Sequence, residues 1–271
     1  MSEFNITVEG GTSVRLPTAG KYCDRDIVIT ATGGGGGTYW ENFNINRVDE
    51  YALYGCDLLH TVVISRVGSV NTYAFARCKN LTEIRLGSLP NIGEYAFYMC
   101  ENLKTFTSDT GIANVRAHAF DGCVSLENVD LRNTASIGVA AFKNCKSLSY
   151  VYNISAYSVR SDAFVGCESL TKADFELVTT IESSAFYGCA SLSSLILRTT
   201  DTVCSVDVSA LYETPMVTGQ GHIYVPASMY EYYRVGYETA LNQMMPGFFD
   251  ILFRKIEDYP EITGDDGVAV R

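Results

Sequence analysis

The fold of this chain is decided by the stretch Ala185-Phe186-Tyr187-Gly188-Cys189-Ala190-Ser191-Leu192, because its frame of Ala-Phe, Cys and Leu recurs along the sequence. The first copy carries Leu53 where the others have Phe. The successive copies are marked by Cys56, Cys78, Cys100, Cys123, Cys145, Cys167 and Cys189. Their spacings are 22, 22, 23, 22, 22 and 22 residues. A constant period of this length predicts a solenoid, in which one small unit is stacked on copies of itself.

Each unit is predicted to contain one short strand and a return segment. After the repeated Leu, apolar residues alternate with polar ones, as at Leu81, Ile84 and Leu86, and such alternation is typical of a half-buried strand. An apolar residue also stands four positions before each Ala; these residues are Val48, Val70, Ile92, Val115, Ile137, Val159 and Ile181. We expect this residue, the Ala-Phe pair, the Cys and the Leu to point inward and to form one continuous core.

The frame Ile-x-x-x-Ala-Phe-x-x-Cys-x-x-Leu resembles the BspA-type leucine-rich repeats of bacterial surface proteins. The resemblance covers roughly residues 48–225. It implies a right-handed array of about seven to eight units of 22–23 residues, with one short strand per unit in a parallel sheet. It also implies an extracellular or cell-surface location, and binding of host matrix proteins or other cells by some members. A repeat fold does not by itself identify a ligand.

Segments of different composition flank the repeats. Short alternating stretches at residues 6–8, 14–16 and 27–29, with glycine turns, predict a small β-module at the start. The run of five glycines at 33–37 predicts a flexible linker, because no Lys-Ser/Thr pair follows as a phosphate-binding loop requires. The predicted domains are a β-module for attachment or assembly at 1–32, a Gly-rich linker at 33–38, the solenoid with its N-terminal cap at 39–225, a partly helical C-terminal cap at 226–259 and a flexible tail at 260–271.

The period slips at two places. One extra residue falls between Leu103 and Val115, and a larger insertion lies around residues 198–205. Insertions in solenoids usually lie in the turns. Val206 continues the frame into an eighth unit, in which Thr214 stands at the position of the cysteine.

A second, shorter resemblance concerns the N-terminal module. Residues 16–27 are similar to a short β-module of tail-associated proteins from bacteriophages and prophages. This resemblance implies an alternative function, as a structural or receptor-recognition component of a phage or prophage particle. The location would then be the virion.

The 9 cysteines allow two interpretations. A disulfide framework is typical of small secreted proteins, whereas a ladder of buried free thiols would use each cysteine as a small apolar side chain. We favour the ladder, because equivalent positions on stacked units point the same way and seven of them cannot pair evenly. Cys23 and Cys204 lie outside the ladder and are the candidates for reactive thiols. No Cys-x-x-Cys spacing occurs, which argues against structural zinc.

Charge and hydropathy exclude several partners. The net charge of −11 argues against nucleic acid, whose phosphates attract Lys and Arg, and against adsorption on anionic membranes. No apolar run is long enough to span a bilayer, so we predict no membrane insertion. The opening residues lack a basic segment followed by an apolar one, so no signal peptide is predicted in this sequence.

No catalytic constellation can be assembled from the sequence. The three histidines, His60, His118 and His222, fall in different units, and none stands at metal-ligand spacing from a cysteine or carboxylate. Catalysis requires several such groups converging in a cleft. We therefore predict no enzyme, no cofactor and no metal.

A row of outward-facing strand residues is the candidate binding site. Side chains between the inward positions of each strand, as at Ser194 and Ile196, should stack across units on the outer face. The middle of the array places Tyr150 and Tyr152 between Asp130 on one side and Lys172 and Asp174 on the other. Tyrosine is a common binding anchor, although cross-strand aromatics also stabilise sheets, and both interpretations stay open. The sequence thus favours non-enzymatic, adhesion-type recognition of a protein or glycan partner.

Overall fold

The computed structural model describes residues 4–7, 27–30, 45–57, 59–64, 67–87, 90–244 and 247–259. Within these ranges the chain forms a parallel β-solenoid of about seven turns, as predicted, with helices at its C-terminal end. Neighbouring strands pair residues one period apart, for example Glu83 with Thr105. The period of the sequence is therefore the register of the sheets.

The described strands form three parallel sheets. The first sheet contains β1 (Phe4–Thr7), β2 (Ile27–Thr30), β4 (Thr61–Ile64), β6 (Glu83–Leu86) and β8 (Thr105–Ser108). The second sheet contains β3 (Ile45–Val48), β5 (Val67–Val70), β7 (Asn91–Ile92), β9 (Asn114–Val115), β10 (Ser136–Ile137), β12 (Ser158–Val159), β14 (Thr180–Ile181) and β16 (Ser205–Val206). The third sheet contains β11 (Tyr150–Asn153), β13 (Lys172–Phe175), β15 (Ser194–Leu197), β17 (His222–Val225) and β18 (Phe253–Lys255).

Helical elements follow or interrupt the last strands. They are α1 (Ala227–Met244), α2 (Phe248–Leu252) and short 3-10 turns at Val208–Leu211, Pro215–Thr218 and Ile256–Asp258.

Most units contribute two strands to the stack. The four-residue strand follows the repeated Leu as the sequence predicts, and its inward residues are buried, as at Ile84 and Leu86. A second strand ends at the apolar position before the Ala; it has four residues in β3 and β5 and two in the later units, as at Ile92 in β7. The sequence predicted one strand per unit and missed this second strand. The core lies between the second sheet on one side and the first and third sheets on the other.

Equivalent core residues lie directly on top of one another. The rings of Phe75 and Phe97 are stacked with centroids 5.2 Å apart and planes 6° apart. The stack continues through the later units to Phe186, with the rings of the last pair 5.3 Å apart. All of these rings are fully buried. Burying one such side chain contributes about 1.5–3 kcal/mol, so the stack is a major part of the stability.

The ladder thiols that follow Cys56 make the same hydrogen bond in each unit. Each donates to the main-chain carbonyl at the Phe position of the preceding unit, for example from Cys145 Sγ to Phe120 O at 3.2 Å. The same carbonyl accepts the N–H of Cys123 in its own unit at 3.0 Å. The cysteine therefore combines a small apolar volume with a donor for the second lone pair of a buried carbonyl.

The free-thiol interpretation is confirmed for six of the seven ladder positions, namely Cys78, Cys100, Cys123, Cys145, Cys167 and Cys189. It is wrong at Cys56, which is disulfide-bonded. Cys56 belongs to the first copy of the frame, so no earlier copy offers its thiol a Phe carbonyl.

The Ala-Phe turn uses two residues with left-handed backbone conformation. One precedes the Ala, as at Tyr95 with a φ of 55°, and the other precedes the Cys, as at Gly166 with a φ of 70°. Between them, N–H groups bond to the next unit, for example Phe97 N to Ala119 O at 2.8 Å. Hydrogen bonding between units thus continues around the turn, and buried backbone groups stay paired.

The extra residue of the third interval precedes a break in one strand face. It lies in a turn around Gly111, which has a φ of 87°. Residues 127–131 of the next unit, all of which the structure describes, form no strand, and Asn128 makes a single bridge to Thr105. This face is therefore split into the first and third sheets. The sequence located the insertion but did not predict the split.

Both ends of the stack are extended by further elements. At the N-terminal end, β2 pairs with β4, so β1 and β2 continue the first sheet. The strand predicted near residues 14–16 lies outside the described residues. At the C-terminal end, the Tyr237 hydroxyl accepts the N–H of Val206 and donates to Cys204 O, both at 2.8 Å. A side chain of helix α1 thereby satisfies backbone groups at the edge of the second sheet.

Candidate recognition surface

Tyr150 and Tyr152 lie on the outer face of the third sheet, next to the interrupted unit. Both alternate with buried residues along β11, so both rings are directed away from the core. The register places Tyr150 beside Lys172 and Tyr152 beside Asp174 on the next strand. The two tyrosines are half-buried rather than fully exposed.

Lys172, one of the two outward residues of β13, contacts both Tyr150 on β11 and Asp174 on its own strand. Its Nζ lies 5.6 Å from the centroid of the Tyr150 ring, within the range of a cation–π contact. The same Nζ is 3.9 Å from Asp174 Oδ2. The ammonium group therefore restricts the ring of Tyr150 while remaining at the surface.

Asp174 is buried, which corrects the prediction that it stands in an exposed row. Arg198 binds its carboxylate with two nitrogens, Nε to Oδ1 at 2.8 Å and Nη2 to Oδ2 at 2.9 Å. This hydrogen bonding from the carboxylate raises the pKa of Arg198 above its ordinary value. The paired fork geometry explains why the charge of Asp174 can be buried.

Arg198 and Glu176 extend this pair into a network that the sequence did not predict. Tyr152 donates its hydroxyl to Glu176 Oε1 at 3.3 Å, and Arg198 Nε lies 3.6 Å from the same oxygen. A signal for Arg198 was present, because alternation along β15 continues from Ser194 and Ile196 to residue 198 on the same face. The network holds Tyr152 in place.

Asp130 lies on the interrupted unit and is bound within it. Arg132 contacts its carboxylate through Nε at 3.1 Å and Nη2 at 2.9 Å. These hydrogen bonds hold the pKa of Asp130 below its usual range. The structure thus gathers Tyr150, Tyr152, Lys172 and Asp174 around one network, while the carboxylate of Asp130 is engaged by Arg132.

The C-terminal side of this face is covered. Ile196, predicted to face outward, is buried together with Tyr224 under Ile256, and Tyr259 packs against this cluster. The rings of Tyr224 and Tyr259 are 5.2 Å apart at 78°. The segment after β18 therefore closes the outer face beyond β15 and limits the candidate surface to β11 and β13.

Three exposed apolar side chains lie in the turns that follow these two strands. Ile154 and Tyr157 are 38% and 65% exposed in the turn after β11, and Leu177 is 41% exposed in the turn after β13. Backbone bonding joins the two turns, because Thr179 N donates to Tyr157 O at 2.9 Å. The sequence did not single out these residues, since isolated apolar residues in turns lack a periodic pattern.

The described part of the chain brings no metal-binding cluster together. Within it, no three His, Cys, Asp or Glu side chains are placed to hold a metal ion. His118 Nδ1 pairs with Asp121 Oδ2 at 2.8 Å, and His222 Nδ1 lies 3.0 Å from Ile251 O.

In the same ranges, no helix has the length and apolar character needed to cross a bilayer.

Cys204 is not the reactive thiol that the sequence suggested. It is fully buried, and this burial raises its pKa to about 12. A thiol must ionise to react as a nucleophile, so Cys204 is inert in the folded protein. Cys23 lies outside the described residues.

The repeat region matches a known family. A family model described as "BspA type Leucine rich repeat region" matches in 6 copies over residues 46–171 and 135–218. No curated protein sequence gives a significant match.

Three solved structures of bacterial proteins are similar to this chain. A leucine-rich-repeat protein of T. pallidum is 20% identical, with 69% of this chain and 83% of that chain covered and a TM-score of 0.48. One from Bacteroides ovatus ATCC 8483 is 20% identical, with 85% and 66% covered and a TM-score of 0.42. A leucine-rich cell surface protein of Faecalibacterium prausnitzii A2-165 is 16% identical, with 86% and 91% covered and a TM-score of 0.31.

Neither the family match nor these three structures support the phage alternative. That alternative rested on the similarity of residues 16–27 to a phage-tail β-module, and the structure describes only Ile27 of these residues.

Proposed function

Because the chain belongs to the BspA-type leucine-rich-repeat family, whose members are typically surface or secreted bacterial proteins, we propose that it is a non-enzymatic recognition module that acts outside the cell and binds a protein partner. The proposed binding surface, called the recognition face, consists of Tyr150, Tyr152, Ile154, Tyr157, Lys172 and Leu177.

The observation that supports this proposal is the group of exposed apolar side chains beside two ordered tyrosines. Ile154, Tyr157 and Leu177 keep 38%, 65% and 41% of their surface in water. Covering such surface on binding is favourable by about 25 cal/mol per Å². The aliphatic Ile154 and Leu177 favour a protein partner over a glycan, because sugar hydroxyls buried against them would lose hydrogen bonds.

The tyrosines are pre-organised for binding. Lys172 restricts the ring of Tyr150, and Glu176 accepts the hydroxyl of Tyr152. Side chains that are already ordered lose less conformational entropy when a partner binds. Large aromatic groups with fixed rotamers are typical of the few residues that dominate binding energy.

Two ion pairs have a supporting role in this proposal. Asp174 and Arg198 form a buried pair, and Asp130 and Arg132 form a pair at the surface. Replacing a single member would leave an unpaired charge and disturb the platform, so these residues are poor test sites. The tyrosines are the residues to test.

The test is the double substitution Tyr150→Ala with Tyr152→Ala. Wild-type protein is first titrated against immobilised extracellular-matrix proteins and against a glycan array. We expect protein binding in the wild type and about a thousandfold loss or more in the double variant, since truncating two anchors removes about 2 kcal/mol or more each. Surface plasmon resonance measures the loss, and circular dichroism follows thermal unfolding.

Tyr232→Ala serves as the matched control, because Tyr232 is 64% exposed on α1, away from the recognition face. It should bind as the wild type does. Undiminished binding by the double variant would refute the assignment of the face, and binding confined to glycans would refute the assignment of the partner.

A further inference from the structure

A second aromatic surface lies on the first four units, at the turns around the repeated Ala. Four rings stack along the solenoid axis with successive centroid distances of 5.0, 4.7 and 4.6 Å and interplanar angles of 12°, 2° and 4°. Two further rings stand against this stack at steep angles, the steepest being 85°. We call this surface the aromatic edge; the stacked rings are Tyr51, Tyr73, Tyr95 and His118, and the flanking rings are Tyr54 and Tyr98.

The fold does not require aromatic residues at these positions. All four stacked residues have left-handed backbone, with φ of 54° or 55°. The later units make the same turn with Ala140, Asp162 and Ser184, at φ of 51°, 59° and 55°. Left-handed conformation is unfavourable for a bulky side chain. The tyrosines therefore have a role beyond closing the turn.

The hydroxyl groups of the aromatic edge are available to a ligand. In the part of the chain that the structure describes, none of its five phenol hydroxyls is hydrogen-bonded to another residue. Elsewhere the hydroxyls of Tyr187, Tyr233 and Tyr237 all have protein partners. Partial burial, together with the neighbouring tyrosines, raises the pKa of Tyr73.

We propose that the aromatic edge binds an extended, uncharged glycan chain. Each phenol hydroxyl can both donate and accept, as sugar hydroxyls do. The stacked tyrosines present these groups at a near-constant interval along the axis, and an extended β-linked glycan repeats its sugars at a comparable interval. Stacking has already fixed the rings, so little side-chain entropy is lost on binding.

The surroundings favour this ligand over a protein, and the net charge of −11 disfavours an anionic polymer. Glu50 and Glu94 are exposed directly before Tyr51 and Tyr95; their carboxylates accept hydrogen bonds from sugar hydroxyls. Among the described residues of these units, the exposed large apolar side chains are Tyr51 at 47% and Met99 at 36%. The edge thus lacks the aliphatic character of the recognition face.

The test removes the hydroxyls and keeps the rings. The triple variant Tyr51→Phe, Tyr73→Phe and Tyr95→Phe preserves the stack, so its melting temperature should stay close to that of the wild type. Calorimetric titration uses cellohexaose and chitohexaose as extended β-linked probes and maltohexaose as a coiled α-linked comparison. We expect binding of at least one β-linked probe, weaker binding of maltohexaose, and at least about tenfold weaker β-glycan binding by the triple variant.

Asp162→Ala is the matched control, because it changes the equivalent left-handed position outside the aromatic edge; its β-glycan affinity should equal that of the wild type. The proposal is overturned by absence of binding to both β-linked probes, by equal binding of maltohexaose, or by unchanged affinity in the triple variant. The Tyr150→Ala, Tyr152→Ala variant should bind the β-linked probe normally, so failure of this proposal is distinguishable from failure of the recognition face.

Discussion

At the scale of the residue, the repeated cysteine meets two requirements that few side chains meet together. It must fit a crowded position between stacked units, and it must donate a hydrogen bond to the carbonyl at the Phe position of the unit before. The last unit shows what happens when the residue changes. Thr214 occupies the cysteine position, and its hydroxyl donates to Leu211 O in its own unit at 2.7 Å. The bond between units is then replaced by a bond within the unit.

Replacing one ladder thiol should therefore reduce stability through two effects. Cys145→Ala removes the donor to Phe120 O, which lies 3.2 Å away, and leaves a small void in a fully packed core. We expect the free energy of unfolding to fall by about 1–3 kcal/mol, the sum of a net hydrogen bond and the lost packing. Chemical denaturation followed by circular dichroism measures the change.

Cys204→Ala provides the comparison for this variant. Cys204 is equally buried, but its thiol makes only a long contact of 3.8 Å with Ser205 O. Its truncation should cost less than that of Cys145. Equal losses in the two variants would show that the thiol-to-carbonyl bond adds nothing to the ladder.

At the scale of the element, the sequence predicted the strands that recur with the period of the repeat. It missed the short strands and the interruption, which depend on pairing between neighbouring units. The four-residue strand was predicted because β6 and its equivalents alternate over enough positions to be recognised. The two-residue strand, as in β7, is too short for any alternation. The interruption at residues 127–131 lies in the unit after the inserted residue, and it depends on contacts between strands that a one-dimensional pattern does not contain.

The same distinction applies to the candidate site. The sequence correctly predicted that Tyr150 and Tyr152 lie beside Lys172 and Asp174, because residues one period apart are neighbours on adjacent strands. Burial of Asp174 was missed, since it depends on the fork of Arg198 reaching across from the next unit. Burial of Ile196 was missed for a related reason: the segment that covers it arrives from far along the chain.

The junction between α1 and the second sheet gives a prediction for an element. Tyr237→Phe keeps the ring but removes the hydroxyl that accepts Val206 N and donates to Cys204 O, each at 2.8 Å. Both backbone groups belong to the edge that α1 covers. We expect a loss of about 1–3 kcal/mol in the free energy of unfolding, since buried groups lose their partner.

Tyr232→Phe is the corresponding control, because Tyr232 is 64% exposed on the same helix. Its unfolding curve should match that of the wild type. Amide hydrogen exchange at Val206 adds a local measurement, and unchanged protection there in Tyr237→Phe would contradict the proposed role of the hydroxyl.

At the scale of the whole molecule, the stack buries its thiols in the same uncharged interior as its apolar side chains. The ladder thiols, the Phe rings and the repeated Leu residues form one core that runs through every unit. Polar groups able to meet a ligand are therefore confined to the outer surfaces. The two proposed binding sites lie on different units of one stack, so they can be varied independently.

A buried row of thiols also makes the stability of the whole stack sensitive to alkaline pH. Burial raises the pKa of Cys100, Cys123, Cys145 and Cys167 well above the ordinary value of 9.0, and that of Cys204 to about 12. Above pH 9 the unfolded chain releases these protons while the folded chain keeps them. The stabilisation is complete below pH 9 and is lost as the pH rises, by about 1.4 kcal/mol per pH unit for each thiol.

The slope of stability against pH tests this linkage directly. Guanidinium denaturation at pH 8, 9, 9.5 and 10, under anaerobic conditions, should give a free energy of unfolding that falls increasingly steeply above pH 9. The double variant Cys100→Ala with Cys145→Ala starts from a lower stability but has two fewer thiols to ionise. Its decline should approach a slope shallower by about 3 kcal/mol per pH unit. Parallel declines in the two proteins would mean that groups other than the ladder thiols control alkaline unfolding.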